Sequence, residues 1–81
     1  MRFQELISAA RAAAGGSIEY TVAEGEGLFE NVRRISALSE ERIVLLGKSG
    51  SVEVEGSGLS LGRYEAGDAV VRGKISRVTR L

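Results

Sequence analysis

The clearest strand pattern of the chain is Ser51-Val52-Glu53-Val54-Glu55, followed by Gly56-Ser57-Gly58 and then by Leu59-Ser60-Leu61. Apolar and polar residues alternate on both sides of the glycines, which is typical of β-strands that bury one face and expose the other. Glycine and serine between two such runs favour a turn. Residues 51–61 therefore predict two short strands joined by a turn at residues 56–58.

The period of two extends in both directions from this stretch. The further predicted strands are residues 18–22, a short one from Leu28, residues 32–38, the apolar run 43–46, and a last one made of residues 69–71 and 75–81 on either side of Gly73. The run 43–46 predicts a central strand buried on both faces, and Gly73 predicts a bend or bulge. Ile35, Ile75 and Val78 are expected in the core. We predict an antiparallel meander of about six or seven short strands over residues 17–81, arranged as a small sandwich, barrel or roll.

A different period governs the N-terminal residues. Phe3, Leu6, Ile7 and Ala10 are spaced to fall on one face of a helix. Gly15-Gly16 supplies a helix end. We predict a short amphipathic helix over residues 3–14 and, for residues 1–81 as a whole, one mainly β (α+β) domain.

The composition argues against several classes of function. The chain has no Cys and no His, so disulfides and thiolate metal sites are excluded and the most frequent general base is missing. Lys plus Arg equals Asp plus Glu, 11 each, whereas nucleic-acid binding rests on surplus positive charge. We expect a protein that is not an enzyme, holds no cofactor or metal, and does not bind nucleic acid as its main partner.

Gly47-Lys48-Ser49 resembles the end of a phosphate-binding loop. That motif requires a glycine where this chain has Arg42, and a helix after the loop to receive the phosphate. The residues that follow, 51–54, alternate as a strand instead. A hairpin turn is the favoured interpretation.

Gly58-Leu59-Ser60-Leu61-Gly62 has the letters of a nucleophile elbow. A serine nucleophile needs a base, normally His, and a position between a strand and a helix. Ser60 is more simply the outward residue between two inward leucines. The acidic residues alternate with apolar ones or lie in turns, which favours solvated side chains over a catalytic carboxylate pair.

Charge is divided between two segments. Residues 19–30 contain four acids and no base, and residues 71–81 contain four bases and no acid. These residues form the candidate interaction surface: Glu19, Glu24, Glu26, Glu30, Arg72, Lys74, Arg77 and Arg80. The basic segment fits an edge strand protected by charge, or docking to an acidic protein, anionic lipid or nucleic acid. The two segments could also pair across a subunit interface.

No apolar run approaches the roughly 20 residues that span a bilayer. The first residues also lack the pattern of a secretory signal peptide. We therefore expect a cytoplasmic location.

Four groups of residues resemble the YabP/YqfC family of sporulation proteins over residues 27–81. They are Phe29-Glu30-Asn31-Val32-Arg33-Arg34-Ile35, Leu38-Ser39-Glu40-Glu41-Arg42-Ile43, the pattern Gly50-x-Val52-x-Val54-x-Gly56-x-x-Leu59-x-Leu61, and Ala69-Val70-Val71-x-Gly73-x-Ile75. The family usually has a His at the place of Val32 and a Gly at the place of Arg34. The resemblance implies a non-enzymatic role in spore formation, at the forespore membrane or the spore coat, with a membrane-protein partner encoded beside it in one branch.

Two hypotheses of function follow. The first is a structural or interaction protein that binds protein partners or copies of itself through exposed strand edges. The alternative is a small module that binds an anionic ligand, a lipid surface or nucleic acid, through the basic C-terminal strand. The first is favoured by the absent catalytic residues and the family resemblance, and it allows peripheral contact with a membrane.

Overall fold

A computed structural model describes residues 16–81, and the predicted helix over residues 3–14 lies outside these described residues. The described part is mainly β, as the alternating pattern predicts, and all its strand pairs are antiparallel. The strands are β1 (Glu19–Ala23), β2 (Glu26–Glu30), β3 (Arg34–Leu38), β4 (Arg42–Gly47), β5 (Gly50–Glu65) and β6 (Asp68–Arg80).

The six strands form one open sheet in the order β1-β2-β6-β5-β4-β3. Strands β3 to β6 follow one another as the predicted meander, but β2 pairs with β6 and not with β3. The chain therefore passes from one side of the sheet to the opposite edge between β2 and β3. Because β1 and β3 do not pair with each other in the described residues, the sheet does not close, and the barrel alternative is wrong.

Backbone hydrogen bonds fix the short connection between β2 and β3, residues 31–33, to two other parts of the sheet. The Val32 N–H donates to the carbonyl of Gly67 (2.9 Å), and the Arg33 N–H donates to the carbonyl of Leu46 (2.7 Å). The hydroxyl of Tyr64 also donates to the carbonyl of Val32 (3.0 Å). The connection is thus held against the β5–β6 turn on one side and against β4 on the other.

The predicted turn at residues 56–58 is wrong, because β5 continues through it. Residues 69–71 and 75–80 belong to one strand, β6. The register between β5 and β6 shifts at this point instead. A Cβ atom on Gly56 would lie 1.9 Å from the Lys74 carbonyl oxygen, and one on Gly73 would lie 2.4 Å from the Gly58 carbonyl oxygen. Glycine here permits two backbones to approach closely at a bulge, as predicted for Gly73.

The core lies on one face of the sheet, where side chains from alternate positions of β2, β4, β5 and β6 meet. Its fully buried members include Phe29, Ile43, Leu45, Val52, Val54 and Val71. Ile35, Ile75 and Val78 pack against this cluster but are only partly buried. Strand β4 is buried on both faces, as predicted, since Val44 is also buried, yet it lies next to the edge and not at the centre.

Candidate functional site

Within residues 16–81, both edges of the sheet are open. Strand β1 pairs only with β2, and strand β3 only with β4, among the described residues. Tyr20 and Val22 of β1 are 37% and 42% exposed, and Leu38 of β3 is 57% exposed. The outward side of each strand therefore presents backbone N–H and C=O groups, with apolar side chains beside them, to a pairing chain.

The predicted acidic residues separate into two environments. Glu24 and Glu26 are exposed at the β1–β2 turn, and Glu19 is half-buried on β1. Glu30 is only 2% exposed, so its carboxylate does not belong to the exposed surface. The acidic surface is thus confined to the β1 edge and its turn.

The predicted basic residues lie on β6, and three of them have partners within the chain. Arg72 Nε is 3.8 Å from Glu26 Oε2, and Arg77 Nη1 is 3.9 Å from Glu55 Oε1. Arg80 lies over the ring of Tyr20, 5.2 Å from its centroid, and Lys74 is exposed. Such exposed ion pairs stabilise by about 0–1 kcal/mol each.

The two charged segments thus meet inside one sheet, since Glu26 is the register partner of Arg72. Part of the positive charge of β6 is neutralised by neighbours, which favours the interaction hypothesis over an anionic ligand on this strand.

A second basic cluster, which the sequence analysis did not single out, lies at the other side of the sheet. Arg33, Arg34 and Lys48 line a cleft of about 610 Å³ beside the β4–β5 turn. An adjoining cleft of about 370 Å³ is also lined by Arg33 and Lys48. No Asp or Glu of residues 16–81 lines either cleft, and within that range none of the three cations forms an ion pair.

The order of the strands in the sheet brings the residues of this basic cluster together. Arg33 and Arg34 follow the crossing connection, and the hydrogen bond from the Arg33 N–H to Leu46 holds them next to the hairpin that carries Lys48. The adjacent arginines at the start of a strand were the one signal visible in the sequence.

The two motif-like segments have the structures that the sequence favours. Lys48 and Ser49 form the turn between β4 and β5, and strand β5 follows where a phosphate-binding loop would require a helix. Ser60 is an exposed residue inside β5, next to the buried Leu59 and the partly buried Leu61. Both segments are accounted for by strand and hairpin geometry.

Two further kinds of site are absent from residues 16–81. This range has no helix with the length and apolarity needed to cross a membrane. Nor does it group three or more Asp, Glu, His or Cys side chains in a way that could hold a metal ion.

Comparison of the chain with protein-family models, with curated proteins and with solved structures finds no match. A proposal on function therefore rests on the geometry of the sheet edges and on the resemblance of residues 27–81 described above.

Proposed function

We propose that this chain is a non-enzymatic protein-interaction module that binds its partners by strand addition at an open edge of its sheet. The observation that carries the proposal is that β1 and β3 each pair with a single neighbour in the described residues and expose large apolar side chains. An added strand forms backbone hydrogen bonds along the edge, and side chains at alternate positions supply specificity.

Strand β1 is the more receptive of the two edges. Natural edge strands are usually protected by Lys, Pro or a bulge. Strand β1 has no Lys or Pro, and its five residues pair with β2 in a regular register. Strand β3 begins with Arg34 and contains a register shift between Ile35 and Ala37. A partner strand therefore finds a longer regular edge on β1.

The resemblance to the YabP/YqfC family supports a setting for this binding. The role we propose is in spore formation, at the cytoplasmic side of the forespore membrane or in the spore coat, with a membrane protein as one partner. Deletion of the gene in its native host tests this setting. The number of heat-resistant spores should fall and be restored by the wild-type chain, and wild-type sporulation of the deletion strain would refute the role.

The binding mode is tested by co-purification of the tagged chain with membrane proteins from sporulating cells of the native host. Val22→Lys places a charge on the β1 edge and Leu38→Lys places one on the β3 edge. Ser76→Lys is the matched control, because Ser76 is exposed but lies on β6 and not on β1 or β3.

At least one edge variant should lower the affinity by about tenfold or more, because a charge within the added strand pair falls at the centre of the contact, where hot-spot residues contribute about 2 kcal/mol or more. The Ser76→Lys control should bind as the wild type does. Equal binding by all three variants would exclude strand addition at either edge.

A further inference from the structure

The two open edges carry opposite charge: the C-terminal end of β1 is acidic, and the N-terminal end of β3 is basic. Strand β1 ends in the turn with the exposed Glu24 and Glu26, and no base occurs in residues 19–30. Strand β3 begins with Arg34, next to the basic cleft that Arg33 and Lys48 also line. Opposite charge at the two edges favours a heterologous contact, in which the β1 edge of one copy meets the β3 edge of another.

Antiparallel pairing would bring these charges together. If β1 of one copy lies antiparallel to β3 of another, the C-terminal end of β1 lies beside the N-terminal end of β3. Glu24 then lies next to Arg33 and Arg34, and the turn extends towards the basic cleft. Every strand pair within the sheet is antiparallel, so the joint would continue the same hydrogen-bonding pattern.

The apolar faces also match in this arrangement. Val22 is the register partner of Gly27, whose own partner on β6 is the buried Val71. Ile35 is the register partner of the buried Leu45. When Ala23 is set opposite Arg34, Val22 lies opposite Ile35, and both belong to the core-bearing face of their sheets. The exposed Val22 would then pack against an apolar side chain.

We propose that copies of this chain assemble head to tail, with β1 of one copy added to β3 of the next. The inference rests on the proposed function and names its partner as a second copy. Because the two contacting surfaces differ, each copy keeps one free β1 and one free β3, and the assembly grows into rings or filaments and does not stop at a dimer.

The two symmetric alternatives are less well supported. A β1·β1 contact would bring Glu19 of each copy towards Glu24 of the other, which is repulsive. A β3·β3 contact would place two irregular strands opposite each other, because each contains the register shift after Ile35, and it would leave Tyr20 and Val22 exposed. The head-to-tail contact includes one repulsive pair, because Glu19 at the start of β1 lies near Glu40, which follows the end of β3.

Sedimentation velocity of the complete chain over a wide concentration range tests the proposal. The wild type should form species larger than a dimer as its concentration rises, and fewer of them at high salt, because exposed charges are screened. Glu24→Lys and Arg34→Glu should each weaken association by about tenfold or more. An equimolar mixture of the two variants should recover it, because each reversed charge meets its complement on the other variant.

Matched controls are Ser76→Lys and Arg63→Glu, which change the charge of exposed residues that lie outside β1 and β3. Both should assemble as the wild type does, and circular dichroism verifies that every variant is folded. Assembly that responds to Arg34→Glu but not to Glu24→Lys would overturn the proposal in favour of β3·β3 pairing, and the reverse would indicate β1·β1 pairing. A wild type that stays monomeric also overturns it, whereas binding of a different protein to β1 would still support the proposed function.

Discussion

The centre and the edges of this sheet are built differently. Strands β5 and β6 have 16 and 13 residues, and their side chains provide much of the buried core. Strands β1 and β3 have five residues each, and mostly exposed or half-buried side chains. The central strands therefore carry most of the stability, and under the proposed strand addition the edge strands carry the binding. Substitutions at the centre should then change stability, and substitutions at the edges should change association.

The largest effect on stability is expected where the backbones of β5 and β6 lie closest together, at Gly56. Gly56→Ala would place a methyl group against the Lys74 carbonyl, which belongs to the backbone and cannot rotate away. We expect a loss of more than about 3 kcal/mol in the free energy of unfolding, measured by urea denaturation.

Gly62→Ala provides the matched control for this prediction. The nearest atoms to its new Cβ belong to the Arg72 side chain, which is flexible and exposed. Its stability should stay within about 1 kcal/mol of the wild type. Equal losses at both glycines would contradict the explanation by backbone contact.

Two leucines offer the next contrast. Leu45 is fully buried in β4 and Leu38 is 57% exposed in β3. Leu45→Ala should lower the free energy of unfolding by about 2–5 kcal/mol, because it removes buried surface and leaves a cavity. Leu38→Ala should change it by no more than about 0.5 kcal/mol. Chemical denaturation of both variants decides whether the edge contributes to stability, and similar losses would show that it does.

The smallest effect on stability is expected at the connection between β2 and β3, residues 31–33. Tyr64→Phe removes the hydroxyl that donates to the Val32 carbonyl, and should cost about 0.5–1.5 kcal/mol. Tyr20→Phe is the control, since its ring stacks on Phe29 with centroids 5.5 Å apart and removal of its hydroxyl leaves that contact in place. Thermal unfolding in parallel should rank Tyr64→Phe below Tyr20→Phe, and the opposite order would exclude a stabilising role for the Tyr64 hydrogen bond.

The sequence predicts the strands well where one face is buried. The alternation at Val52 and Val54 is confirmed, and the apolar run 43–46 forms β4 with both faces buried. The turn predicted at Gly56 was wrong because glycine is favoured both by turns and by close backbone approach, and only the pairing partner, here Lys74, distinguishes the two.

Long-range pairing also limits what the sequence reveals about the candidate site. Arg33 and Lys48 become neighbours only because the chain crosses from β2 to the β3 edge. Arg72 loses part of its expected availability because β2 places Glu26 beside it. Charge patterns therefore identify which residues are charged, whereas the order of the strands decides which charges remain available to a partner.

The pairing of β2 with β6 has a consequence for how the chain folds during its synthesis. Glu26 meets Arg72, a residue that the ribosome adds 46 positions later (72 minus 26). The β1–β2 hairpin precedes the other strands in the chain but has no sheet to join until β6 is available, and contacts between such distant residues are slow to form. We therefore expect the β1–β2 hairpin to join the sheet late in folding, after β5 and β6 have paired with each other.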